Sequence, residues 1–163
     1  MSMTDAELSA AFPVAPIESI LPHRGTMLLL AGVDTWDEEF LAAVAHVDPA
    51  AWYADTQGNM PAWIGIELMA QAIAAHVGLL STRAGQPARP GVLLGSRKYE
   101  ASVPAFEQGQ PLRVEARELL RGAEGHGAYE CTISAGAQRL ANAVIKVFQP
   151  TDFQAFIEGS LTI

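Results

Sequence analysis

The chain predicts an α+β fold in which an antiparallel sheet wraps around one long apolar helix. Three observations carry that prediction. First, MPAWIGIELMAQAIAAHVGLL (60–80) is almost continuously apolar, with Glu67 its one charged residue, and a run of this length reads as a helix covered on most sides. Second, after Gly91 apolar and polar residues alternate with period two: Leu112, Val114 and Ala116 against Arg113, Glu115 and Arg117, then Tyr129, Cys131 and Ile133 against Glu130, Thr132 and Ser134. Third, the 163 residues contain no internal repeat, low-complexity tract or linker. The expectation is therefore one domain over 1–163, with its core at about 16–150 and a tail at 151–163.

The elements follow in chain order. PIESIL (16–21) reads as a helical turn before the Pro22-His23 loop. Met27–Val33 and Phe40–Val47 suit strands, joined through the polar DTWDEE stretch (34–39). The loop DPAAWYADTQGN (48–59) ends at Asn59, a candidate N-cap for the central helix, with Pro61 tolerated in its first turn. STRAGQPARPG (81–91) reads as the loop that ends the helix. GAEGHG (122–127) joins two strands, Ala141–Phe148 is apolar on both faces and predicts an interior strand, and DFQAFIEG (152–159) suits a helix. One sheet wrapped around one helix buries both and leaves an edge strand for pairing with a second subunit. This is the hotdog arrangement.

Composition narrows function. A net charge of −8 argues against sequence-independent nucleic-acid binding. The single Cys131 leaves no internal disulfide, and no Cys/His spacing suits zinc, so no metal is expected. The acidic N-terminus lacks the basic and apolar regions of a signal peptide, which predicts a cytoplasmic protein. Residues 61–80 have the length of a membrane span, but Glu67 and Gln71 inside them favour a core helix.

Glu67 is the first candidate for chemistry. A carboxylate on a buried helix costs free energy unless it is paired or used. Gln71, four residues on, shares its face and can donate to it. The alternatives are a Glu67 held by backbone N–H groups and a Gln71 serving a subunit interface.

Motifs then point to a family. Leu21-Pro22-His23-Arg24 with Met27–Leu30, the PAWIGIELMAQ segment (61–71), and Arg97-Lys98-Tyr99 with Val103-Pro104 and Gly109 occur in one order. Together they resemble the 3-hydroxyacyl-[acyl-carrier-protein] dehydratases, and most of all the dehydratase-like proteins of aryl-polyene and related pigment clusters. The resemblance covers about residues 16–150. It implies a 3-hydroxyacyl thioester as substrate, a trans-2-enoyl thioester as product, and no cofactor beyond the phosphopantetheine or coenzyme A bearing the substrate. It implies Ala62 and Trp63 as backbone N–H donors to the thioester oxygen, with Met27, Trp52 and Tyr53 lining an acyl tunnel. The partners expected are an acyl carrier protein or acyl-CoA and a second hotdog subunit, in a homodimer, a larger oligomer or a heteromer.

The chain departs from that family at one place. The dehydratases carry a catalytic histidine in a GHFPG motif fourteen residues before the glutamate. Here that position is Tyr53, and no histidine lies between His46 and His76. His76, nine residues from Glu67, projects half a turn away from it and reads as a structural helix histidine. His126 reads as a solvated turn residue, and His46 is open to either role. His23 belongs to the resembled motif and follows the stiffening Pro22, so it is either the replacement base or a residue that fixes its loop.

Residues 81–121 hold Arg83, Arg89, Arg97, Lys98, Arg113, Arg117 and Arg121 against four glutamates. This local excess suits an acidic carrier protein, with Arg97 and Lys98 as its contacts, or is a solvated strand face. Three functions are open at this point: the dehydratase, a hotdog thioesterase using Glu67, and a non-catalytic partner of an active dehydratase. The separation of His23 from Glu67 discriminates among them.

Overall fold

The computed structural model describes residues 14–86, 91–150 and 152–161. A helical turn, α1 (Ile17–Ile20), leads through a 3-10 turn (Gly25–Met27) into strands β1 (Leu30–Trp36) and β2 (Phe40–Ala45). A short strand β3 (Met60–Pro61) and a second 3-10 turn (Ala62–Ile64) precede the central helix α2 (Gly65–Arg83). Strands β4 (Val92–Ala101), β5 (Ala105–Phe106), β6 (Leu112–Arg121), β7 (His126–Ala135) and β8 (Gln138–Phe148) follow, then helix α3 (Phe153–Leu161). Six strands form one antiparallel sheet in the order β1-β2-β6-β7-β8-β4, while β3 and β5 pair separately.

The predicted arrangement is the observed one. From α2, the buried Leu68, Met69, Ala72, Ile73 and Ala75 join a core with Val33, Leu41, Ala43, Val114, Ala116, Cys131, Ile133 and Ile145. The inward strand residues alternate with outward Arg113, Glu115, Glu130 and Thr132, as the period-two pattern requires. Strand β8 is interior and β4 forms one edge. Residues 62–83 are long and apolar enough to cross a membrane, but here they supply the core against which the sheet packs.

Several boundaries differ from expectation for local reasons. β1 starts at Leu30 rather than Met27 because residues 27–30 bond to the helix: the Gln71 amide donates to the Met27 carbonyl (2.7 Å) and accepts from Leu29 N–H (3.0 Å) and Leu30 N–H (3.4 Å). Asn59 is not an N-cap; its side-chain oxygen accepts from Gln108 N–H, and α2 has no side-chain cap. Pro61 lies in β3, not in a helical turn, because residues 60–61 pair with 105–106. The helix continues through Ser81–Thr82–Arg83, where Thr82 donates to Gly78 O, and turns off at Gly85 with φ +71°. β6 and β7 close the predicted 122–127 loop to four residues, 122–125. His126 therefore opens β7 and stacks on Phe148 at 4.6 Å.

His76 is the structural histidine that its spacing predicts. It is fully buried, with Nε2 2.9 Å from the Asp37 carbonyl and Nδ1 2.9 Å from the Tyr129 hydroxyl. Glu118 lies 3.1 Å beyond that hydroxyl and is held by Arg121 at 2.6 Å. Burial lowers the His76 pKa, opposed by the Asp37 carbonyl and the Glu118 charge. The unfolded histidine then takes up its proton at a higher pH than the folded one. Stability is thus fully present above pH ~6.5 and falls as pH drops below it, by at most ~1.4 kcal/mol per pH unit from this residue. Chemical denaturation at pH 5 and 7.5 checks this: His76→Gln should flatten the slope, and an unchanged slope would assign the acid sensitivity elsewhere.

Candidate active site

The site forms where the His23 loop meets the first turn of α2. Arg24 shapes the loop: its guanidinium donates to the carbonyls of Glu18 (2.7 Å), Leu21 (2.6 Å) and His23 (2.7 Å), bonding the otherwise open end of α1. His23 is thereby turned toward the helix, with Nε2 3.7 Å from Glu67 Oε1. That separation is too long for a direct hydrogen bond. Gln71 Nε2 donates to the same Glu67 oxygen at 3.0 Å. Gln71 is itself fully buried and locked to the β1 approach, so it fixes the carboxylate rotamer. The imidazole Nδ1 is buried without a hydrogen-bond partner among the described residues.

The structure thus brings His23, Glu67 and Gln71 together. Glu67 corrects one expectation: its side chain is 39% exposed and that of His23 28%, so within one chain the pair is half open rather than buried. The cause is position, since Glu67 lies in the first turn of α2 at the rim of the core.

Other expected site residues divide. Met27, Trp52 and Trp63 are each at least half exposed, so no tunnel closes over them among the described residues. The Trp52 indole donates to Thr26 O at 2.9 Å, which ties Trp52 to the His23 loop. Tyr53 belongs to the core, with its hydroxyl accepting from Asp48 N–H at 2.9 Å and its pKa raised by burial. A phenol so held is a poor base, and Tyr53 does not replace the missing histidine. Ala62 is corrected as an oxyanion donor, because its N–H already donates to Pro104 O at 3.0 Å. Trp63 lies on the same 3-10 turn.

Arg97 and Lys98 lie on β4, not on the loop or helix that carries this pair. Arg97 pairs with Val144 on the outer sheet face, where both residues border a cleft with Arg139, Glu100, Glu130 and Asn142. The basic stretch of 81–121 is not one patch. Arg113 is paired with Asp34 and Glu115, Arg121 with Glu118 and Arg83 with Glu38, while Arg117 covers the Phe40 ring. Arg89 lies outside the described residues. Arg139 joins Arg97 and Lys98 only through sheet pairing, which no local signal reveals. The motif names Arg24, but its bonds to three carbonyls have no local signal in the sequence.

An antiparallel sheet around a central helix, with a carboxylate and an imidazole converging at the helix start, defines a hotdog-fold protein of the dehydratase type. The chain belongs to the ApeP-like family, described as ApeP dehydratase, whose model matches residues 15–158. The solved dehydratase heterocomplex ApeI:P from Xenorhabdus doucetiae includes a chain that is 29% identical, with a TM-score of 0.83, covering 89% of this chain and 97% of that one. A hypothetical thioesterase from Streptococcus pneumoniae, solved with coenzyme A, is 15% identical over 73% of this chain and 87% of its own, with a TM-score of 0.57. E. coli PaaI is 18% identical over 72% and 82%, with a TM-score of 0.55. The last two show a shared fold only. A search of the curated proteins finds no match.

Proposed function

We propose that this protein dehydrates a 3-hydroxyacyl thioester to a trans-2-enoyl thioester. The observation that carries the proposal is the 3.7 Å approach of His23 Nε2 to Glu67 Oε1 beside the helix start. His23 takes the C2 proton, acidified by the thioester carbonyl. Glu67, carrying a proton, delivers it to the 3-hydroxyl; the C3–O bond breaks, the C2–C3 double bond forms and water leaves. The 3-10 turn that leads into α2, at Trp63, holds the enolate-like oxygen. The elimination draws on no redox cofactor.

The half-open pair and the exposed apolar side chains of Met27, Trp52 and Trp63 support completion of the site by a second hotdog subunit, a copy of this chain or a different one. The relative's heterocomplex favours a different one. A passive role for this chain beside an active dehydratase is the second reading, favoured by Tyr53 at the vacated histidine position. The substrate assigned is an aryl or polyene acyl chain on a carrier protein or coenzyme A, handled in the cytoplasm.

Mass spectrometry of 3-hydroxyacyl carrier protein tests the proposal, with this chain alone and with a second hotdog subunit. Loss of one water that depends on Glu67 supports it. A free acid points to hydrolysis, and water loss indifferent to Glu67 points to the passive role.

Arg97, Lys98 and Arg139 on the outer face suit an acidic carrier protein. Alanine at Arg97 and Lys98 should cut kcat/KM for carrier-borne substrate several-fold more than for a pantetheine mimic, and the difference should shrink with added salt. Equal losses on both substrates would remove the carrier contact.

A further inference from the structure

Strand β4 contains one backbone irregularity that reaches the site. Arg97 pairs with Val144 and Glu100 with Asn142, so two residues of β4, Lys98 and Tyr99, stand against one of β8. That is a β-bulge. Lys98 occupies it with φ +53°, the one non-glycine residue with positive φ among those described. A side chain rarely adopts this conformation unless its surroundings require it. The extra residue reverses the alternation of the strand. Arg97 and Glu100 both face outward with their partners, and Tyr99 turns inward.

Tyr99 then meets the start of α2. Its hydroxyl donates to the Ala62 carbonyl, while Ala62 N–H donates to Pro104 O at 3.0 Å. A Cβ at Gly65 would collide with the Tyr99 hydroxyl and crowd Ile133 (3.0 Å) and Phe106 (3.2 Å). Burial pushes the Tyr99 pKa up to about 12, which keeps the phenol a donor. The 3-10 turn is therefore clamped at both polar groups of Ala62, and the clamp bears on the residue two positions before Glu67.

We propose that Tyr99, turned inward by the Lys98 bulge, is the positioning residue that fixes the Ala62–Ile64 turn and, through it, the placement of Glu67 and of the helix-start N–H groups. The proposal rests on the dehydratase reading only for its effect on turnover.

Hydrogen exchange, melting and kinetics of the full chain test it. Tyr99→Phe should raise amide exchange at residues 62–66 about tenfold, the loss of one hydrogen bond. It should lower kcat about tenfold while KM stays within about twofold, because the clamp acts on geometry rather than on binding. Gly65→Ala should destabilise the wild type strongly and the Tyr99→Phe chain much less, which places the hydroxyl against the first residue of α2. Lys98→Gly, compatible with positive φ, should leave exchange at 62–66 unchanged, whereas Lys98→Val should reproduce the Tyr99→Phe exchange. Unchanged exchange in Tyr99→Phe, or additive Gly65 and Tyr99 effects, would overturn the proposal. Raised exchange in a chain that dehydrates no substrate, alone or with a second subunit, would support the clamp and overturn the dehydratase reading.

Discussion

Glu67→Gln is expected to lower turnover by about 10²–10⁴-fold, the range general acid–base groups supply, with the melting temperature nearly unchanged. The substitution is almost isosteric, and its carboxamide oxygen can still accept from Gln71 Nε2, which donates at 3.0 Å in the wild type. The rotamer therefore survives while the transferable proton is lost. Steady-state rates with 3-hydroxyacyl carrier protein, measured beside thermal melting, separate the two effects. Turnover near the wild-type value would take Glu67 out of the chemistry and leave the chain a supporting subunit.

His23→Ala should cost a similar factor, again with little change in melting. The reason is the unusual standing of the ring. Among the described residues its Nδ1 has no hydrogen-bond partner and its Nε2 meets only Glu67, so truncation breaks no bond among them that holds the loop. Arg24 does that work through three carbonyls and is untouched. A large fall in melting temperature with activity retained would assign His23 to the loop instead. The proposed chemistry needs a base and an acid, so the pH–rate profile should be bell-shaped. The variant should lose one limb of that bell.

Much of this was legible in the chain. The run from Met60 to Leu80 and the alternation in 112–117 and 129–134 report burial directly, because a residue's polarity matches the face on which it lies. Glu67 and Gln71 were readable as a pair because four residues make one helical turn. What escaped was set by contacts distant in sequence. Pro61 is drawn into a strand by Ala105 and Phe106, and Ala62 N–H is taken by Pro104, neither of which helix propensity registers. Gln71 was seen as a partner of Glu67, but its hold on residues 27–30 needed the loop to return to the helix. The inward turn of Tyr99 depends on one extra residue in β4, and a period-two reading has no means of placing a bulge.

The irregular edge strand has a consequence for how the protein behaves in a crowd of its own copies. An open edge of ten residues, Val92–Ala101, is a template on which further chains can stack in register. Two register shifts, between Leu93 and Gly95 and between Arg97 and Glu100, break it into short segments. A flat foreign strand can follow none of these segments for long, whereas a strand with matching interruptions can follow them all. The edge is thus a poorer template for indiscriminate stacking than a flat strand of the same length, through its backbone as well as through its charged Arg97, Lys98 and Glu100.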